Sequence, residues 1–139
     1  MTGEPAKIDW DALARAAEEV RGRAHAPYSK YPVGAALLVA SGRVFVGCNV
    51  ENASYGLAIC AERSVIVQMV AAGERDPIAL AVMTRGPMIG TPCGTCRQTL
   101  AEFAMDLPIL LFADPCLLEL GYSLFKFVKR QNGIHFLLA

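Results

Sequence analysis

Apolar positions recur along the chain with two different spacings, and the switches between them mark the elements. Leu13, Ala16, Ala17 and Val20 follow helical spacing with charged residues on the other face. Asp9 ahead of them can cap the first turn with its side-chain oxygen. The pattern predicts a helix over roughly 9–24, ended before Pro27, which cannot continue the hydrogen-bond ladder. Val33 to Val39 is a short apolar run rich in small residues and predicts a buried strand. A turn at Ala40-Ser41-Gly42-Arg43 and a second strand over Val44–Val50 complete a predicted hairpin. Residues Asn49 to Gly56 are polar within a mostly apolar chain and predict a ligand-facing loop.

A second helix is expected over about 60–72, with Val65, Ile66, Met69 and Val70 as its buried stripe and Gly73 as its terminator. Ile78 to Met83 predicts a third strand, buried on both faces. After a loop over 85–92, a third helix is predicted from Cys93 to about Ala104 and a fourth strand over Leu107–Phe112. Alternating strands and helices indicate an α/β sandwich whose later strands can run parallel. Leu117, Leu118, Leu120, Leu124, Phe125 and Val128 predict a last helix over about 116–130, with Gly121 counting against it. Residues 134–139 read as a short strand or a loose end. There are no internal repeats or low-complexity segments.

Composition narrows the class. At 139 residues, 54% hydrophobic and 19% charged, the chain predicts a single domain over 1–139 with one core. Basic and acidic residues balance at 13 each, so nothing draws it broadly toward a phosphate backbone, and no nucleic-acid partner is expected. No apolar run near the start reads as a signal peptide, and none is long enough for a membrane span. Five cysteines, an odd number, then read as cytoplasmic thiols and metal ligands, not a disulfide frame. The high apolar content of so small a domain favours an oligomer.

The chemistry concentrates in Cys60-Ala61-Glu62-Arg63 and Pro92-Cys93-Gly94-Thr95-Cys96-Arg97-Gln98. Three thiolates from Cys60, Cys93 and Cys96 can hold a zinc ion and leave its fourth tetrahedral position to a water that can lose a proton. Glu62 is a carboxylate near that position and not needed as a ligand, so it suits general acid/base work. If Cys60 and Cys93 both open helices, two helix N-termini meet at one spot and favour thiolate. Arg63 and Arg97 adjoin the ligand segments and could donate to sulfur, moderating the charge.

Blander readings compete. A lone C-x-x-C is often a redox pair or half of a structural zinc site, and a structural site needs a fourth ligand. Cys48, Cys116, His25 and His135 are the candidates, and none has close ligand spacing to the other three. Cys48 reads as a small core residue and His25 as a solvated helix-end residue, while Cys116 and His135 receive no role. The Met and Leu stripes read as core.

Cys-Ala-Glu followed by Pro-Cys-x-x-Cys resembles the signature of zinc-dependent nucleoside and nucleobase deaminases. The blocks Ala26–Lys30, Val33–Leu37, Gly47–Gly56 and Pro92–Gln98 narrow the resemblance to the small, homotetrameric cytidine deaminases of pyrimidine salvage, over roughly residues 8–112. The resemblance implies a three-layer sandwich with a central mixed β-sheet flanked by helices. It implies one zinc per subunit on Cys60, Cys93 and Cys96, with Glu62 as the proton shuttle and Arg63 bonded to the ligand sulfurs. Asn49 and Glu51 would bind the ribose, Ala61 would lie against the base, and Tyr55 would help line a neighbouring subunit's site. The implied reaction converts cytidine or deoxycytidine to uridine or deoxyuridine and ammonia. Where the family usually has Phe near the pyrimidine, this chain has Tyr31, and from about Leu117 it does not follow the family's usual Glu-Leu-Leu-Pro-x-x-Phe ending. Three other readings compete: a deaminase for another aminopyrimidine nucleoside or nucleoside antibiotic, a non-enzymatic structural-zinc module, and an RNA-editing enzyme. The Asn49/Glu51 pair weighs against the first, and the neutral charge without an aromatic-basic strip weighs against the last.

Overall fold

A computed structural model describes residues 7–86, 89–113, 129–131 and 134–136. Helix α1 (Trp10–Arg21) starts where the sequence places it. Asp9 adopts an extended backbone and its carboxylate accepts the Ala12 N–H at 2.9 Å. The helix ends three residues earlier than predicted, because the Gly22 N–H turns back to the carbonyls of Glu19 and Val20. Strands β1 (Gly34–Val39) and β2 (Val44–Cys48) form the predicted antiparallel hairpin. The second strand stops short of Val50, which pairs instead with His25 and Ile59 in isolated bridges. A short 3-10 turn (Tyr55–Leu57) precedes α2 (Ala61–Ala71). Then come β3 (Pro77–Met83), α3 (Gly94–Phe103) and β4 (Ile109–Phe112).

The four strands lie in the order β2-β1-β3-β4. The β1–β2 and β1–β3 pairs are antiparallel and β3–β4 is parallel, so the sheet is mixed. Strand alternation gives the sheet two apolar faces. Ala35, Leu37, Val39, Leu80 and Val82 pack with Val65 and Met69 of α2 and Leu100 of α3. Ala36, Leu38, Ala79, Ala81 and Met83 pack with Leu13 and Ala17 of α1. One helix on one face and two on the other make the three layers that the resemblance implied.

Two glycines set how closely the helices approach. A Cβ at Gly34 would lie 2.0 Å from the Ala17 carbonyl oxygen, so only glycine lets α1 settle on β1. A Cβ at Gly47 would lie 2.7 Å from the Val65 nitrogen and 2.9 Å from the Ala61 carbonyl oxygen, which fixes the depth of α2 against β2.

The predicted helix over 116–130 is corrected at its end. Lys129–Gln131 is a strand, β5, paired antiparallel with β6 (Ile134–Phe136). Asn132-Gly133 stands between them in sequence, and that dipeptide favours a hairpin over a continuing helix. The rest of that prediction, over 116–128, lies outside the described residues, as does Cys116.

Candidate active site

Helices α2 and α3 both begin at a cysteine. Cys60 and Cys93 occupy their N-cap positions with extended backbones, and neither side chain makes a capping hydrogen bond. Oxygen side chains normally fill that role, so these helix starts present unpaired N–H groups and the positive end of the dipole to sulfur. Cys96 lies in the first turn of α3 and is fully buried. The three Sγ atoms lie within 4.8 Å of one another. Cys60 to Cys93 is 3.9 Å and Cys93 to Cys96 is 3.5 Å.

Zinc–sulfur bonds of about 2.3 Å at tetrahedral angles would place sulfurs about 3.8 Å apart, so these donors fit a zinc ion. Among the described residues the cluster has three members, Cys60, Cys93 and Cys96, and no His, Asp or Glu joins it as a fourth. The thiols already share charge unevenly. Cys60 is pulled down to about 5, first by a hydrogen bond from Cys96 and, against burial, by Arg63 and Cys93. Cys96 is raised in turn, because it donates to Cys60 and because it is buried.

Glu62 follows Cys60 by two residues and is only 6% exposed. Burial raises its pKa, with a hydrogen bond from its own backbone N–H opposing and the Cys60 thiolate adding to the rise. A carboxyl shifted this way keeps its proton to a higher pH than an exposed one, which suits a group that takes and returns a proton. Glu62, Cys60 and Cys93 line a cavity of about 430 Å³, a size that suits a small organic ligand. Ala61, Asn49, Glu51 and Tyr31 line the same cavity, so it gathers nearly all the side chains singled out from sequence.

Asn49 and Glu51 are anchored by the segment opposite them. The Asn49 amide accepts the Val33 N–H at 2.8 Å and donates to the Tyr31 carbonyl at 2.9 Å. Glu51 accepts the backbone N–H groups of Tyr28 (2.9 Å) and Ser29 (3.2 Å) and the Ser29 hydroxyl. The bond from the Ser29 hydroxyl is the chief reason the Glu51 pKa lies below its ordinary value. Each side chain keeps spare capacity for a ligand: the amide one N–H and one lone pair, the carboxylate further lone pairs.

Tyr31 carries a hydroxyl that phenylalanine lacks, and Gly90 makes room for it. A Cβ at Gly90 would lie 2.8 Å from the Tyr31 oxygen and 2.9 Å from Thr84 Cγ2. Thr84, 3% exposed, lines the cavity too. Its hydroxyl accepts the Gly90 N–H at 3.2 Å and donates to the Phe112 carbonyl at 3.4 Å, tying β4 to the loop that leads to Cys93.

Arg63 donates to the Ala58 carbonyl at 3.1 Å. Desolvation lowers its pKa, but the nearby Cys60 and Cys96 sulfurs outweigh that and raise it. The Nε atoms of both Arg63 and Arg97 are buried without a partner. Tyr55 is the exception: it is 85% exposed and does not line this chain's cavity. Cys48 is only half-buried at the end of β2, outside both core clusters and the triad, short of the core position expected of it, while His25 is exposed as expected.

Sequence reasoning gave Ser29, Thr84 and Gly90 no role. Ser29 stood within the Ala26–Lys30 block and was the one detectable of the three. Thr84 and Gly90 belong to a stretch whose sequence shows no periodicity.

Comparison with known proteins agrees with this geometry. The family described as the cytidine and deoxycytidylate deaminase zinc-binding region matches residues 8–111. A curated cytidine deaminase of Sporosarcina psychrophila is 44% identical over 107 residues, covering 75% of this chain and 77% of its own. The crystal structure of a cytidine deaminase from Burkholderia pseudomallei superposes with a TM-score of 0.75 at 44% identity, over 78% of this chain and 87% of that one. The crystal structure of a cytidine deaminase from Mycobacterium tuberculosis gives a TM-score of 0.70 at 43% identity, covering 74% of this chain and 85% of its own. With the match spanning both sulfur-bearing helix starts and the cavity they open on, the chain belongs to the cytidine and deoxycytidylate deaminase zinc-binding family.

Proposed function

We propose that the protein catalyses the hydrolytic deamination of cytidine and deoxycytidine, adding water and releasing ammonia to give uridine and deoxyuridine, the reaction of pyrimidine salvage. The observation that carries this reading is a buried carboxylate, Glu62, lining the same cavity as Cys60 and Cys93, two members of a three-sulfur donor set that Cys96 completes from beneath the surface. Zinc held by Cys60, Cys93 and Cys96 supplies an activated water as the nucleophile. The chain's own groups do the rest. Glu62 takes one proton from water and delivers it to the ring nitrogen beside the carbon that bears the amino group. It then takes the proton of the newly added hydroxyl and gives it to the amine, which departs as ammonia as the carbon–nitrogen bond breaks and the carbonyl forms. Its raised pKa suits a group that must both take and return a proton. Asn49 and Glu51 hydrogen-bond the ribose, held in place by the 28–33 segment. Tyr31, and Ala61 at the start of α2, line the cavity and would contact the base.

The fourth ligand that a structural-zinc module needs is missing from the cluster among the described residues, which favours catalysis. We further propose a cytoplasmic homotetramer with one zinc per subunit. Tyr55 and Leu57, 85% and 71% exposed beside the site, are the apolar groups that such an assembly would cover, bringing Tyr55 to a neighbour's cavity. No helix among the described residues is long and apolar enough to cross a membrane. An ultraviolet assay of cytidine conversion, with zinc quantified per chain, tests the reading. Turnover of cytidine at one zinc per chain supports it; a zinc-loaded protein that leaves cytidine and deoxycytidine unchanged overturns it.

A further inference from the structure

A second depression, of about 460 Å³, lies on the other side of the wall that bounds the catalytic cavity. The two share a thin partition. Ser29, Tyr31 and Val33 line the catalytic cavity, while the intervening Lys30 and Pro32 line the second depression. Alternate residues of this one segment therefore line different compartments, with the turn at Lys30 between them. The outer compartment is lined by Arg21, His25, Lys30 and Arg85, and by no carboxylate among the described residues. That is unusual for a chain whose formal charge is zero. Glu19 pairs with Arg23 at 3.0 Å, and Glu51, which lies on the catalytic side and interacts with His25, accepts from Tyr28 and Ser29.

Two of the three cations, Arg21 and Arg85, are positioned by the backbone. Arg21 donates to the Thr84 carbonyl at 2.9 Å, and Arg85 donates to the Lys30 carbonyl at 3.4 Å. Each contact uses one N–H of a guanidinium that carries five, so both arginines remain able to bind oxygen anions. Lys30 itself sits at φ +56°, a left-handed conformation rare for a lysine, fixed by its N–H bond to the Ala26 carbonyl at 3.1 Å. Strain of this kind collects where function constrains a loop.

We propose that this basic depression binds the phosphate group of a small molecule, and that occupancy is felt in the catalytic cavity through the 29–33 partition. A phosphate spanning Lys30, Arg85 and Arg21 would tie the partition to the ends of α1 and β3. The Ser29–Glu51 and Asn49–Tyr31 contacts on its inner side would then be held in place before the nucleoside arrives. Free phosphate and a phosphorylated nucleoside offer the same anion, and the size of the depression admits either.

The test is calorimetric titration of the zinc-loaded full chain with inorganic phosphate and, separately, with a pyrimidine nucleoside triphosphate, at low ionic strength. Saturable binding of at least one of them is expected, and the tighter of the two identifies the source. Lys30→Asn, chosen because asparagine tolerates positive φ, and Arg85→Gln should each weaken binding about tenfold. Circular dichroism melts should stay near those of the parent chain, so that weaker binding reports the site and not unfolding. In the parent, saturating ligand should lower KM for cytidine roughly fivefold with kcat unchanged, and cytidine should tighten phosphate binding by the same factor. Absence of saturable binding, or equal binding by folded variants, overturns the site. Competition between phosphate and cytidine would place the anion in the catalytic cavity instead and overturn it too. Phosphate binding with an unchanged KM overturns the coupling. The titration does not depend on turnover, so its failure is distinct from a failure of the deaminase reading.

Discussion

At the scale of single residues, the surroundings of each carboxylate set how tightly it holds its proton. Glu62 is buried beside a thiolate, so its proton is retained at pH values where an exposed carboxylate would have lost it. Replacing it by glutamine keeps the volume and removes the proton traffic. Glu62→Gln is therefore expected to retain one zinc per chain and to lose roughly a hundredfold to ten-thousandfold in kcat, measured by metal analysis beside the ultraviolet assay. Glu51 shows the opposite shift. The Ser29 hydroxyl holds its pKa down, so the contacts from Ser29 and Tyr28 are intact above the ordinary carboxylate range. They are lost only as pH falls through the lowered value. Ser29→Ala should move the Glu51 titration to higher pH in a carbon-detected NMR titration and raise KM with little change in kcat.

At the scale of elements, helix starts carry the chemistry and strands set their separation. Neither α2 nor α3 has an oxygen cap, so their first turns depend on whatever satisfies Cys60 and Cys93. Chelating the metal should lower the melting temperature by an amount that re-addition of zinc restores. At free zinc one hundred times Kd the linked stabilisation is about 2.7 kcal/mol. Gly47→Ala would drive a methyl group into the backbone of α2 on two sides. It should cost about 1–3 kcal/mol in thermal or urea unfolding and, by shifting Cys60, weaken zinc retention against a competing chelator. These elements were legible in sequence because their apolar spacing changed cleanly at Pro27, Gly42 and Gly73. The strand over 129–131 was not, since leucines spaced for a helix ran up to it and masked the Asn-Gly signal just beyond. Gly47 gave no signal of its close approach either. Contact between helix and strand is a tertiary fact, and a strand glycine alone says only that something comes near.

At the scale of the whole molecule, the three layers bury both faces of the mixed sheet and still leave Tyr55 and Leu57 in water. Sedimentation equilibrium is expected to give four times the chain mass, and Leu57→Asp to shift the distribution toward smaller species with a parallel loss of turnover. A monomer at working concentration would remove the shared-site proposal. The donor set and Glu62 could be read from sequence because spacing within each short motif is preserved on a helix turn. The cavity that unites them could not, because its walls come from segments brought together by β1 and β3. That topology has a temporal consequence. Cys60 precedes β3 and Cys93 follows it, 33 positions later. A growing or clipped chain that stops before Gly94 offers one or two sulfurs and no third, so it has no chelate to close. Zinc bridging the two helix starts would close a loop that contains β3, so metal binding and docking of that strand should stabilise one another.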